Sequence, residues 1–174
     1  CAYRYRVAQL HEKHLDGTPR TVDIYRDIHE DIPDHEPSLT ALTAILHGDK
    51  EPIAAAAVLE PVLTSAEAYD KVVDVLEVQL RHAEDDIRRV ELLHRIAEIS
   101  EAVLEQPANA LNAYARAVPS EPLNDTTLTN FERLADGLQA WPLVAQTYDA
   151  ATQRLTDEPD KRLELLLRNA QIYE

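Results

Sequence analysis

Tyr5-Arg6-Val7-Ala8-Gln9-Leu10 returns as His94-Arg95-Ile96-Ala97-Glu98-Ile99 and again as Leu167-Arg168-Asn169-Ala170-Gln171-Ile172. Ala8 and Ala97 lie 89 residues apart, and the same step carries Tyr25 onto Tyr114, Leu39 onto Leu128, Leu42 onto Phe131 and Gly48 onto Gly137. Self-similarity at so long a period marks an array of packed units, each with an apolar face that a neighbour must cover. Such an array is a surface for holding other molecules, and the repeat itself does not name them.

The composition suits an all-helical array. Three glycines, one Trp, one Phe and no Met occur among 174 residues, while Ala, Leu, Glu and Arg, all good helix formers, dominate. A net charge of −15 argues against nucleic acid, whose phosphates call for Lys and Arg, and points to a protein or peptide partner, basic if charged at all. No apolar run approaches the roughly 20 residues that span a bilayer, and no charged-then-apolar leader opens the chain, so no membrane insertion and a cytoplasmic location are expected. One cysteine forms no internal disulfide, so packing holds the fold. A first-position cysteine also matches the mature start of a bacterial lipoprotein. Against that alternative, the 89-residue step sets Cys1 opposite Val90 inside a helix and no flexible tether follows; the chain is expected instead to be a fragment of a longer array.

Turn residues divide the sequence into about ten helical segments: Ala2 to Leu15, Pro19 to Glu30, Ser38 to His47, Glu51 to Leu63, Ala66 to His82, Asp86 to Leu104, Pro107 to Val118, Thr126 to Gly137, Trp141 to Leu155 and Pro159 to Glu174. Pro19, Pro52, Pro107, Pro142 and Pro159 fall in first turns, where a missing amide proton costs nothing. Pro33, Pro37, Pro119 and Pro122 read as inter-helix residues. Thr64 and Glu67 have capping-box spacing, which predicts a helix start near Ala66. Leu92, Ile96, Ile99 and Val103, flanked by Leu93, Ala97 and Leu104, form a broad apolar helix face. Ala8, Ala97, Ala110, Ala117, Ala135 and Ala170 mark the points where two helices press closest.

From Leu93 onward, Leu93, Ile96-Ala97, Ala110, Tyr114, Ala117-Val118 and Pro122 resemble the tetratricopeptide repeat, a 34-residue helix-turn-helix. Val7-Ala8, Thr21, Tyr25, Ile28 and Pro33 give the framework once more, as do Phe131, Leu134-Ala135, Val144, Tyr148 and Ala151, and a fourth unit begins at Leu166, Ala170 and Tyr173. Ser100 and His11 stand where the family has its first Tyr, both complete turns carry an extra residue, and Thr21 and Val144 exceed the usual Ala. The resemblance implies an all-α fold, a right-handed α-α superhelix of antiparallel hairpins, over residues 1–174 as a single domain. One region departs from it: Ala68-Tyr69 onward matches Ala140-Trp141 onward at a step of 72, while Glu51 to Leu63 matches the same helix at 89. The difference is about one helix, so residues 38–82 are expected to hold an irregular three-helix step and a bend.

No chemistry-bearing motif stands out. His11-Glu12-Lys13-His14 spaces its histidines by three, whereas two zinc ligands on one helix face are four apart, so no metal site is read there. Gly-x-Ser-x-Gly and glycine-rich phosphate loops are absent; no enzyme and no cofactor are expected. The acids of 27–36, 84–86 and 157–160 gather at helix ends as solvated loops, favourably placed where they precede a helix.

In tetratricopeptide arrays the first helix of each hairpin lines a concave groove. Carried over by position, the resemblance makes the groove candidates Tyr5, Gln9, Glu12, Glu91, His94, Glu98, Glu101, Glu132, Asp136, Glu164 and Gln171, with Leu167 and Glu174 beside them. This lining is acidic and lacks the Lys and Asn with which family members grip a peptide carboxylate. It implies a non-catalytic protein-interaction scaffold, with a structural or self-assembling spacer as the alternative.

Overall fold

The computed structural model describes residues 2–14 and 19–173, with backbone only for Ala2, Glu12, Lys13, His14 and Tyr173; Cys1, and with it the lipoprotein reading, lies outside them, as does Glu174. Among the described residues there is no strand. The helices are α1 (Ala2–His14), α2 (Pro19–Asp31), α3 (Glu36–Leu46), α4 (Pro52–Ser65) and α5 (Tyr69–Arg81), then α6 (Asp86–Ala102), α7 (Pro107–Ala117), α8 (Asp125–Leu138), α9 (Trp141–Arg154) and α10 (Pro159–Ala170), followed by a 3-10 turn, Gln171–Tyr173. They group into two compact units, Cys1–His82 and Ala83–Glu174. Within each, helices adjacent in sequence pack on one another, α1 to α5 in the first and α6 to α10 in the second.

Prolines open helices as expected at α2, α4, α7, α9 and α10. Pro37, expected between helices, sits in the first turn of α3. Pro61 lies inside α4 on its solvent side, where water serves the carbonyl that loses its amide partner.

The capping-box expectation at Thr64 and Glu67 is not met. Thr64 lies in the last turn of α4, its hydroxyl donating to the Glu60 carbonyl at 2.7 Å, because the apolar period runs on through Leu63. Glu67 takes φ 54°, and the helix closes with Ala68 N–H donating to Leu63 O at 2.9 Å and Glu67 N–H to Thr64 O at 3.1 Å, the paired bonds of a Schellman turn. The same turn recurs 72 residues later. Gln139 has φ 54°, Ala140 N–H donates to Ala135 O at 2.8 Å and Gln139 N–H to Asp136 O at 3.2 Å.

The starts of α3 and α8 also match, 89 residues apart. His35 Nδ1 lies 3.3 Å from Ser38 N–H as the cap of α3, and Asn124 Oδ1 accepts Thr127 N–H at 2.9 Å as the cap of α8. Thus α3 begins as α8 begins, and α4 ends as α8 ends; α3, α4 and α5 together run from Glu36 to Arg81.

Tyr25, Tyr114 and Tyr148 are 0%, 3% and 0% exposed. Each lies on the second helix of a pair and packs on an aromatic ring of the helix before it: Tyr5 for Tyr25, His94 for Tyr114 and Phe131 for Tyr148, with ring centres 6.1, 5.5 and 6.2 Å apart. Ala8, Ala97, Ala110, Ala117 and Ala135 are fully buried. Ala170, grouped with them by sequence, is exposed, since no described helix lies beyond α10 to press on it; Asn169 and Leu165 are the residues α10 buries. On α6 the apolar face ends early: Ile96 is buried, but Val103 follows the helix and is 47% exposed.

Replacing Tyr114 by Ala is expected to cost roughly 3 to 5 kcal/mol, the range for a buried aromatic, read by denaturant unfolding; a loss under 1 kcal/mol would contradict the burial. Gln139→Gly relieves a left-handed residue, a gain of roughly 1 kcal/mol after glycine's extra chain entropy is set against it. The check is a rise in melting temperature.

Candidate binding face

In the second unit the alternate helices α6, α8 and α10 are joined by charge. Arg133 of α8 grips Glu101 of α6 with two parallel hydrogen bonds, Nη1 to Oε1 at 2.8 Å and Nη2 to Oε2 at 2.7 Å. Arg168 of α10 grips Glu132 of α8 likewise, Nε to Oε1 at 2.6 Å and Nη2 to Oε2 at 2.8 Å. Bidentate guanidinium–carboxylate pairs are the strong, orienting kind. Tyr148 adds a third donor, its hydroxyl giving a hydrogen bond to Glu132 Oε1 at 2.7 Å. Tyr148 follows Glu132 by the same sixteen residues as Tyr114 follows Glu98, but Arg133 takes Glu101, three residues further along α6, so the arginine–glutamate pair recurs while the tyrosine's share in it does not.

The charges respond accordingly. Burial works to raise the Glu132 carboxyl, but the hydrogen bonds from Arg168 and Tyr148 outweigh it and hold the group below its usual range. The Arg133 hydrogen bond likewise lowers Glu101. Burial first, then the Glu132 carboxylate, pushes the Tyr148 hydroxyl well up, so it stays a donor.

Both units place a histidine against the hydroxyl in the first turn of a capped helix. In the first, His29 Nδ1 is 3.0 Å from the Pro33 carbonyl and Nε2 is 2.9 Å from Ser38 Oγ, while His35 Nδ1 lies 2.9 Å from the same oxygen. A carbonyl only accepts, so Nδ1 of His29 carries the proton, and in the neutral ring Nε2 is an acceptor facing the Ser38 hydroxyl, which also donates to the His35 carbonyl at 3.0 Å. In the second unit Thr127 Oγ1 donates to Asn124 Oδ1 at 3.1 Å and lies 2.7 Å from His94 Nε2, so neutral His94 donates through Nε2. Burial pushes both rings below their ordinary value; the Pro33 carbonyl opposes this at His29, and Glu98 and Glu121 oppose it at His94. The Ser38–His29 pair is no nucleophile, because Ser38 is 0% exposed.

The structure distributes the groove candidates unevenly. In the first unit Tyr5 is half-buried on Tyr25 and His35, its hydroxyl 3.4 Å from the Pro37 carbonyl, and Gln9 is exposed; the side chain of Glu12 lies outside the described residues. In the second, His94 is committed to the α8 cap, and Glu101 and Glu132 to the two arginines. Glu91 is exposed and pairs with Arg88 at 3.1 Å within α6. Glu98, Asp136, Glu164 and Gln171 are exposed, with Asp136 Oδ1 3.4 Å from the indole N–H of Trp141. The lining is therefore less negative than its carboxylates suggest. Arg133 and Arg168, which neutralise two of them, were not among the candidates; the signal was an arginine recurring 35 residues apart. In the His11–His14 stretch, His11 Nδ1 is buried without a partner, and the side chain of His14 lies outside the described residues.

Sequence reading also passed over the cavities, because Trp141 was matched only as a helix start. A groove of about 620 Å³ runs beside α9, lined by Trp141, Pro142, Ala145, Asp149, Ala150 and Ile172 among others, and a second of about 530 Å³ adjoins Glu132, Trp141, Arg168, Gln171 and Ile172. In the first unit a smaller cleft of about 270 Å³ lies among α3, α4 and α5. No described helix is long and apolar enough to cross a membrane. No family model matches the chain, and neither a curated protein nor a solved structure matches it.

A histidine whose folded value is lowered is protonated first in the unfolded chain, so its contribution is whole above the ordinary value of 6.5 and is lost as pH falls from there toward the folded value. Glu101 and Glu132 give up their contribution only below 4.5, which separates the two windows. Thermal melts between about pH 7 and 5.5 are expected to fall less steeply in His94→Gln than in the unaltered chain. Parallel slopes would rule out His94 as a source of acid sensitivity.

Proposed function

We propose that the chain is a non-catalytic protein-interaction module of the tetratricopeptide-like helical repeat kind, a right-handed stack of hairpins that holds a partner peptide on the face shared by α6, α8 and α10. The observation that carries this reading is the recurrence of the glutamate–arginine pairs from one of these helices to the next. Such pairs set alternate helices at a fixed register without filling the surface with apolar side chains. Glu98, Glu91, Asp136 and Glu164 stand exposed on the same helices or at their ends, and with a net charge of −15 they favour a Lys- or Arg-rich segment, steering its approach more than fixing its hold.

A second reading draws on one observation of its own. Leu163, Leu166 and Leu167 on α10 are 57%, 41% and 59% exposed, an apolar strip suited to a structural or self-assembling segment.

Fluorescence anisotropy with labelled basic peptides across a salt series tests the first reading. Association is expected to slow as salt rises past the point where screening reaches about 8 Å, and Glu98→Lys is expected to slow it several-fold with helix content unchanged. Indifference to both salt and Glu98→Lys would move the assignment to the structural reading.

A further inference from the structure

Trp141 stands at the start of α9 because the Schellman turn through Gln139 and Ala140 ends α8 abruptly and sets the new helix directly after it. Its indole N–H points to Asp136 Oδ1 at 3.4 Å, and its ring, together with Ile172, forms part of the wall of both large cavities of the second unit. One cavity is mainly apolar: among the described residues Trp141, Pro142, Ala145 and Ala150 are joined there by a single carboxylate, Asp149, and no basic side chain lines it. Asp149 is held in place by Asn169, whose Nδ2 donates to Oδ1 at 2.7 Å and which is itself only 4% exposed. The neighbouring cavity contains Arg168, whose Nε–Nη2 edge is held by Glu132, so its charge is already paired with a carboxylate. The pair of cavities thus combines an apolar trough and an aromatic ring with the carboxylate of Asp149 in one and of Glu132 in the other.

We infer that the Trp141 groove is a docking site for a peptide segment that carries a lysine or arginine next to a leucine-like side chain. The apolar side chain fills the trough between Trp141, Ala145 and Ile172. The cation lies over the indole, where the ring's negative face attracts it, in the groove that Asp149 also lines. Charge complementarity selects this occupant: an acidic segment would bring like charge against Asp149 and meet no basic side chain among the described residues of the groove lining. A volume of about 620 Å³ lies within the range of roughly 300 to 1,000 Å³ typical of ligand pockets. The inference rests on the reading of the chain as a binding module and names where on it the partner anchors.

Trp141 is the chain's one tryptophan, so its emission reports the two adjoining cavities that it lines, and Asp149 and Ala150, which line the first of them, single that one out. The whole chain is titrated with a fluorescein-labelled peptide of alternating Lys and Leu and with its Glu–Leu counterpart, following Trp141 emission and peptide anisotropy together. The Lys–Leu peptide is expected to shift the emission saturably and the Glu–Leu peptide to leave it unchanged. Asp149→Asn and Ala150→Trp, the second followed by anisotropy alone, are each expected to weaken binding at least tenfold. Ala150 and Asp149 are both exposed, and circular dichroism verifies that the variants keep their helices. Anisotropy that reports binding lost with Glu98→Lys, with Trp141 emission unmoved and Asp149→Asn without effect, overturns the groove and leaves the binding module standing. Binding in neither readout overturns both. Emission that instead shifts with protein concentration, alongside dimers in sedimentation, shows a second copy in the groove and overturns the peptide assignment.

Discussion

A tyrosine ring buried between paired helices is the contact from which most of this architecture follows. Tyr25, Tyr114 and Tyr148 each remove a large apolar surface from water, worth a few kcal/mol apiece, and each meets an aromatic ring from the preceding helix. The alanines at 8, 97, 110, 117 and 135 are fully buried because backbones that close leave no room for a larger side chain. The phenol imposes a second condition. A buried hydroxyl left without a partner costs more than the bond itself returns, and Tyr148 meets that demand by donating to Glu132. A carboxylate drawn inward then needs a cation, and Arg168 of α10 supplies it in bidentate form. One apolar contact thereby accounts for a charged link between two helices that are not neighbours in sequence.

The same chain of causes reshapes the electrostatics. A count of acids along α6, α8 and α10 gives a strongly negative face, yet Glu101 and Glu132 spend their charge on arginines and His94 spends its imidazole on the cap of α8. The negative potential that remains comes from side chains at the margins, such as Glu98, Asp136 and Glu164. Around Trp141 it borders an apolar trough, and that juxtaposition gives the second unit a feature that charge alone would not.

Local rules governed the helix ends, and at four of the described ones a left-handed residue other than glycine satisfied them. Glu51, Glu67, Glu105 and Gln139 all have φ near +55°, a conformation that costs a non-glycine residue roughly 1 to 2 kcal/mol, tolerated because the turn bonds and the packing of the next helix over-determine it. Gly48 and Gly137, equivalent at the 89-residue step, end up differently placed: Gly137 lies within α8 with open space at its side, while Gly48 follows the end of α3. The shorter α3 and the additional α4 divide between them the two ends that α8 unites.

The sequence by itself determined the helices, their order and most of the core. Apolar spacing near 3.6, proline at first turns and the 89-residue echo are local or periodic signals, and they placed Tyr25, Tyr114 and Tyr148 in the interior and all but one of the small positions correctly. It misplaced the start of α5, because Thr64 and Glu67 satisfy two rules at once and only the continued burial of Leu63 decides between a cap and a helix end. It marked Ala170 as buried, because a repeat pattern records what an interior unit does and not which helix lies alongside. Only the tertiary structure decided that Arg133 and Arg168 neutralise carboxylates 32 and 36 residues away, and that Trp141 and Ile172 meet around a groove. Such pairings depend on how far each helix is rotated and shifted against the next, a sum of many small packing choices that no single stretch of sequence contains.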